Sequence, residues 1–274
     1  MEDPTLSLDQ MPAGWDEVVE GYEEAATSLT GSFIELLLNN ADLQPGEQVL
    51  DVAAGTGVLS LAAAERGAQV LATDFSPLMI EKLKLKIQQK AAEGITAEVM
   101  DGQALSLDDN QYDVAFSNFG LIFFPEPEKG LREMLRVLKP GGRVAVSAWS
   151  CPQNIEFMNT LLQAVLRVVP DFSLAKPPVW LRFQDPAFLQ ETLENAGCRD
   201  VQVYTHVQDW PLPSARWLPE RLLGVAPPMK VLLGQFPEQQ QQAILDEMAN
   251  IIQDIFDQGR SALANEAHIA IGIK

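Results

Sequence analysis

The chain has 274 residues, 47% of them hydrophobic and 21% charged, enough for one large domain whose core needs no disulfide or metal. Its formal net charge of -19 at pH 7 repels phosphate backbones and argues against nucleic acid as acceptor or partner. Cys151 and Cys198 form no CxxC pair, Met1–Gln10 has no basic-then-apolar leader pattern, and no apolar run is long enough to span a bilayer, so the expectation is a cytoplasmic protein without a metal.

In chain order, Trp15–Asn40 carries a helical pattern weakened by Gly21 and Gly31. From Gln48 to Ala148 short apolar runs alternate with helical patterns, the rhythm of a βαβ sheet. The turn Gln44–Glu47 precedes a strand at Val49–Ala53, and Val58–Arg66 reads as a helix stopped by Gly67. A second strand at Gln69–Thr73 leads to a helix that opens on Pro77 and ends at Gly94. Strands follow at Ala97–Met100 and Tyr112–Ser117, then a helix over Pro127–Leu138 stopped by Pro140-Gly141-Gly142, then a strand at Arg143–Ala148. Beyond Trp149, Gln153–Val169 is amphipathic, Pro170–Phe183 is irregular, and Asp185 caps a helix running to Asn195. Val201–Val207 and His268–Ile273 read as late strands, separated by a Pro- and Gln-rich insertion in which Pro237–Ile255 is helical.

Three strand ends carry chemistry. The segment Val49-Leu50-Asp51-Val52-Ala53-Ala54-Gly55-Thr56-Gly57 joins a strand to a helix, and its glycines let a ligand approach the main chain. The Gly55-x-Gly57 spacing, with Asp51 inside the strand, differs from the GxGxxG that cradles a pyrophosphate. Asp74, at the end of the second strand, is suited to accept two ribose hydroxyls, and equally to start a turn. Asp101 in Met100-Asp101-Gly102-Gln103-Ala104 is suited to an adenine amine, and equally to cap a helix.

Together these blocks, with YDVAFSNFGLIFFPEP at 112–127 and LRVLKPGGRVAVSAW at 135–149, resemble the class I S-adenosylmethionine (SAM)-dependent methyltransferases, in particular the small-molecule group called UbiE-like or type 11. The resemblance covers Trp15 to Trp149 and implies an α/β Rossmann-like fold. Its sheet would have seven mostly parallel strands, the last antiparallel, with helices on both faces and helical cap insertions. It implies one domain over 1–274: an N-terminal helical cap at 1–46, a SAM-binding core at 47–150, and a half at 151–274 with an acceptor-side cap at about 210–259. Backbone groups at Ala53 and Gly55 would hold the methionine portion, with Asp51, Ala54 and Gly57 also in the cofactor site, and Asp74 would hold the ribose with Phe75 and Met79 near the adenine. Asp101, Gly102, Gln103 and Ala104 would line the adenine pocket, with Ser117, Asn118 and Phe119 near the methyl and Trp15 and Tyr22 closing over the cofactor. The family often has Gly where this chain has Ala53, a change compatible with the site if Ala53 keeps a negative φ.

The implied activity is methyl transfer from SAM to a small-molecule acceptor, with S-adenosylhomocysteine as product, driven mainly by proximity and orientation. Phe119, Phe123, Trp149 and Trp180 are candidates for an aromatic acceptor wall, and His206 and His268 are the only histidines available as a base. Ser117-Asn118-Phe119-Gly120 is not the DPPY or NPPY of many amino-methylating enzymes. A quinone-ring C-methyltransferase and a non-catalytic SAM-binding sensor remain open, as does a monomer or a homodimer.

Overall fold

The computed structural model describes residues 6–174 and 177–274. The N-terminal stretch is a chain of short helices, Pro12–Asp16 (α1), Val19–Gly21 (α2), Thr27–Gly31 (α3) and Ile34–Asn40 (α4), with a π-helical turn at Tyr22–Ala26 between α2 and α3. The single long helical pattern expected over Trp15–Asn40 is therefore broken. Gly21 shows one reason: a Cβ there would lie 2.3 Å from the Gly224 carbonyl oxygen, so glycine lets the C-terminal cap approach the backbone.

The core then alternates strand and helix: Gln48–Val52 (β1), Val58–Glu65 (α5), Gln69–Asp74 (β2), Pro77–Lys90 (α6), Ile95–Val99 (β3), Tyr112–Asn118 (β4), Pro127–Val137 (α7) and Leu138–Trp149 (β5). Ser76 caps α6 by accepting from the Met79 N–H, with Pro77 in the first turn where it has no bond to lose. The chain continues through Glu156–Val168 (α8), Pro186–Ala196 (α9), Arg199–Pro211 (β6), Leu222–Val225 (α10), Pro227–Leu233 (α11), Glu238–Asp257 (α12) and Ala262–Ile273 (β7). As expected, the Asp185 side chain accepts from the Ala187 N–H at the start of α9.

The strands form one seven-stranded sheet in the order β3-β2-β1-β4-β5-β7-β6. β1 to β5 pair in parallel, whereas β7 is antiparallel to both β5 and β6. Each face carries its own core. Val49, Val70, Ala72, Val114 and Phe116 pack with residues of α4, α5 and α6, while Leu50, Val52, Ala115, Val144 and Val146 pack with α7, α8, α9 and the C-terminal cap. The alternation follows from the two-residue period of a strand, and it explains why the middles of β1 (Val49, Leu50) and β4 (Val114–Phe116) are apolar on both faces.

Three boundaries differ from expectation. β5 begins at Leu138, ahead of Pro140, with a register shift against Tyr112/Val114 that absorbs the Pro-Gly-Gly segment. β6 and β7 are each longer than their apolar patterns, because polar residues in them find partners in the fold. Asn265 accepts from the Phe157 N–H, and Glu266 accepts from Ser150 and Asn154. Ala53 has φ 57°, not the negative value expected for an alanine in this place. Among the described residues no helix is long and apolar enough to cross a membrane.

Candidate functional site

The C-terminal ends of β1, β2, β3 and β4 open into one cavity of about 520 Å³, the side of a parallel sheet on which ligands bind. The end of it beside these strands is lined by Ala53, Gly55, Asp74, Phe75, Met79, Asp101, Gly102 and Gln103. The loop after β1 is tight. Ala53, Gly55 and Gly57 all have positive φ, and a Cβ on Gly57 would strike Leu83 at 2.2 Å. A Cβ on Gly102 would strike Phe124 at 2.5 Å and Val52 at 2.7 Å, so glycine is required where β3 leads into the next loop.

Asp74 organises this end. Its Oδ2 accepts from the Gly55 N–H at 2.8 Å and its Oδ1 from the Ser76 N–H at 2.9 Å, which clamps the β1 loop to the β2 end. Burial pushes its carboxyl up to about 6 against those two hydrogen bonds, which act in the opposite direction. Asp51 lies behind the loop. Its Oδ2 accepts from Ser60 Oγ at 2.5 Å, while its Oδ1 is buried with no partner among the described residues. Burial pushes Asp51 up to about 7; the Ser60 hydrogen bond opposes this, and the neighbouring Asp74 charge adds to it. Thr56 Oγ1 is a second buried polar atom in the same loop without a partner among the described residues. Two buried carboxylates side by side, one with an orphaned oxygen, make a site that is incomplete without positive charge.

Ala54, Gly57, Ala104, Ser117 and Asp51 do not line the cavity. They shape it from behind: the Ala54 N–H donates to Thr73 O, Gly57 starts α5, the Ala104 N–H donates to Asp101 O, and Ser117 Oγ accepts from the Leu121 N–H. Asn118 does line it, its Oδ1 accepting from Ser147 Oγ at 2.8 Å, while Ser147 Oγ accepts from the Phe119 N–H at 2.9 Å.

The other end of the cavity is aromatic. Phe119 stacks on Trp149 at 4.1 Å between ring centroids, and Phe33 and Phe157 meet that pair edge-on. Phe119 holds φ 56°, a strained value for a bulky side chain that is fixed by this packing. Trp180, Phe123 and Phe124 also line this end. Trp15 sits edge-on to Phe123 at 4.9 Å and to Tyr22 at 5.9 Å, and Tyr22 lies over Gly55, so the N-terminal helices roof the cavity. Burial pushes the Tyr22 phenol above its ordinary range, which keeps its proton in place.

Sequence reasoning missed much of this wall. Phe157, Met158 and Trp210 line it, as do Leu218, Leu222, Val225 and Met229 of the segment between β6 and β7. The signal available was the cluster of apolar residues within a Pro-rich stretch. The two histidines lie elsewhere. His268 is buried on β7, with Nδ1 against Thr205 Oγ1 at 2.8 Å and Nε2 against Gln184 O at 3.1 Å; His206 sits on β6 beside Tyr204. Neither lines the cavity, where among the described residues the only ionisable side chains are Tyr22, Asp74 and Asp101.

A family model described as a methyltransferase domain matches residues 50–146. A demethylmenaquinone methyltransferase of Paenarthrobacter aurescens is 30% identical over 207 residues, covering 70% of this chain and 80% of that protein. An uncharacterized protein of Mycobacterium tuberculosis is 32% identical over 179 residues, which span 65% of this chain and 62% of the relative. Among solved structures, YcgJ of Bacillus subtilis superposes with a TM-score of 0.59 at 20% identity, over 88% of this chain and 97% of that one, a likeness of fold.

Proposed function

We propose that this chain, which belongs to the class I SAM-dependent methyltransferases, transfers a methyl group from SAM to a small apolar acceptor held in the aromatic half of its cavity. One observation carries the reading: the carboxylate-bearing strand ends and the aromatic chamber are two ends of one continuous cavity. A protein that only sensed the cofactor would need no chamber beyond it.

The residues present fit SAM. Ala53 and Gly55 would take its amino-acid portion, Asp74 its ribose, and Asp101 to Gln103 its adenine. The crowded pair Asp51 and Asp74 offers negative charge to a ligand that carries an ammonium and a sulfonium. When bound, SAM supplies an activated methyl that departs from a sulfonium, leaving a neutral thioether. The protein's part is to position the acceptor in line and to exclude water; the roof of Trp15 and Tyr22 and the apolar ceiling from Leu218 to Met229 support both tasks. Among the described residues no side chain in the acceptor half is able to serve as a general base, so the acceptor brings a nucleophile that is already electron-rich or that ionises in water.

Quinone-ring C-methylation is the second reading. It is favoured by the uncharged aromatic chamber together with relatives named as demethylmenaquinone methyltransferases. The test is incubation with methyl-labelled SAM and a metabolite extract, with labelled products read by mass spectrometry, alongside calorimetry with SAM and S-adenosylhomocysteine. Binding of both ligands and a labelled apolar product are expected. A folded protein that binds neither ligand refutes the reading.

A further inference from the structure

β4 ends between two neighbours that serve different halves of the cavity. On one side it pairs with β1, whose loop carries Ala53 and Gly55; on the other it pairs with β5, whose end carries Trp149. A Cβ on Gly120 would lie 2.4 Å from the Ala53 Cβ, so the chain just past β4 abuts the β1 loop, while Phe119 stacks on Trp149. Asn118 stands on the cavity wall at this junction. Its carboxamide is oriented by its neighbours. Ser147, opposite Asn118 in the β4–β5 ladder, accepts from the Phe119 N–H at 2.9 Å, and its hydroxyl has one proton to give, which goes to Asn118 Oδ1 at 2.8 Å. Asn118 Nδ2 then lies 3.4 Å from the Thr30 carbonyl oxygen. Turning the amide over would set two oxygens against each other there, so the NH2 group takes that side. Thr30 uses at most one of its two N–H bonds, and the second has no partner among the described residues. Two other donors on the wall are already spent: Thr30 Oγ1 donates to Ala26 O at 3.0 Å, and Trp210 Nε1 to Ser28 Oγ at 2.8 Å.

We infer that Asn118 determines acceptor specificity: its free Nδ2–H donates to an oxygen of the acceptor at or beside the methylated atom, and the acceptor is a phenol or enol bound as its anion. This deepens the methyltransferase reading above and rests on it. An apolar chamber disfavours an anion, and a donor held in place by Ser147 and Thr30 offsets that cost at one point on the wall. Hydrogen bonds to an ionised oxygen are the strong ones, so the preference falls on the anion over its neutral form. The hydroxyl proton leaves to water on ionisation, which asks no base of the protein. A hydrocarbon gains nothing from Asn118, and an ammonium, which only donates, meets the Nδ2 hydrogens with its own. Ser147 is the positioning residue, since it fixes both the Asn118 amide and the Phe119 backbone.

The experiment uses the full chain saturated with S-adenosylhomocysteine and two probes of similar size, 4-nitrophenol and nitrobenzene, with binding read by quenching of tryptophan fluorescence, since Trp149, Trp180 and Trp210 line the chamber. The wild type should hold 4-nitrophenol about tenfold tighter than nitrobenzene, the scale of a hydrogen bond to a charged group. The bound phenol, followed by its phenolate absorbance, should ionise about one pH unit lower than in water. Asn118→Leu should erase both effects and leave nitrobenzene binding within about threefold. Asn118→Asp keeps the shape and the Ser147 hydrogen bond but turns an oxygen toward the acceptor, so it too should erase the preference. Calorimetry with S-adenosylhomocysteine shows that each variant is folded. A wild type indifferent to the phenol oxygen overturns the proposal, as does a preference that survives both substitutions, or failure of both probes to bind while S-adenosylhomocysteine binds; in these cases the cofactor reading stands. A folded wild type that binds neither probe nor S-adenosylhomocysteine refutes that reading, and this proposal with it.

Discussion

At the scale of single residues, the two buried carboxylates make binding and stability depend on pH in opposite ways. Asp51 titrates near 7 in the folded chain against an ordinary value of 3.8, because burial and the nearby Asp74 disfavour its charge. A raised carboxyl binds its proton more tightly when folded, so its contribution to stability is full at low pH and is lost as pH rises through about 7. Asp51→Asn should therefore raise the melting temperature of the ligand-free protein more at about pH 8 than at about pH 5. A cationic ligand needs the ionised form, so SAM affinity should rise about tenfold between about pH 6 and about pH 8, with proton release visible as buffer-dependent calorimetric heat. Affinity that is flat across that window would mean that Asp51 does not titrate there. Asp74→Ala should weaken SAM binding by about 1.5–3 kcal/mol, the scale of hydrogen bonds to a charged group, read by calorimetry. Ala53 tests backbone strain separately. An alanine at φ 57° costs about 1–2 kcal/mol, of which the looser unfolded chain of a glycine variant gives back about 0.4–1. Ala53→Gly should thus raise the denaturant midpoint slightly, where Ala→Gly at an ordinary position lowers it.

At the scale of elements, the alternating strands and helices from β1 to β5 were legible because their apolar runs are bounded by Pro, Gly and cap residues. The segment between β6 and β7 was legible only as an insertion. It is more than a lid: Leu222, Leu233, Ile244, Met248 and Ile252 are buried in the main core, and α12 packs on α8. Excising it would open that core, so its role is better probed from inside the cavity. Met229 lines the aromatic end, far from Asp74 in sequence and on the ceiling in space. Met229→Trp should fill the chamber and abolish methyl transfer, while SAM affinity stays within about threefold, a margin of less than 1 kcal/mol. Loss of both together would place Met229 in the cofactor's half. The N-terminal helices behaved otherwise: their helical pattern was legible, but the π-helical turn that sets Tyr22 over Gly55 has no sequence signature of its own.

At the scale of the molecule, a net charge of -19 should keep this protein off nucleic acid. A gel shift with duplex DNA and structured RNA at low salt should show no binding; salt-sensitive binding would reveal a basic face that the sum of charges conceals. By itself the sequence determined the sheet, its parallel core and the strand ends that open into the cavity. Each depends on local chemistry: apolar runs of strand length, glycines where the chain must turn, and acids placed just past strand ends. Only the tertiary structure decided that Asp51 stands behind the loop with an oxygen unpaired. It likewise settled that both histidines lie outside the cavity, that Ala53 and Phe119 take left-handed backbone, and that Phe157, Trp210 and Met229 meet Phe119 and Trp149 around one chamber. Those facts depend on contacts between residues distant in the chain, and no local pattern of polarity or spacing encodes which apolar side chains will share a wall.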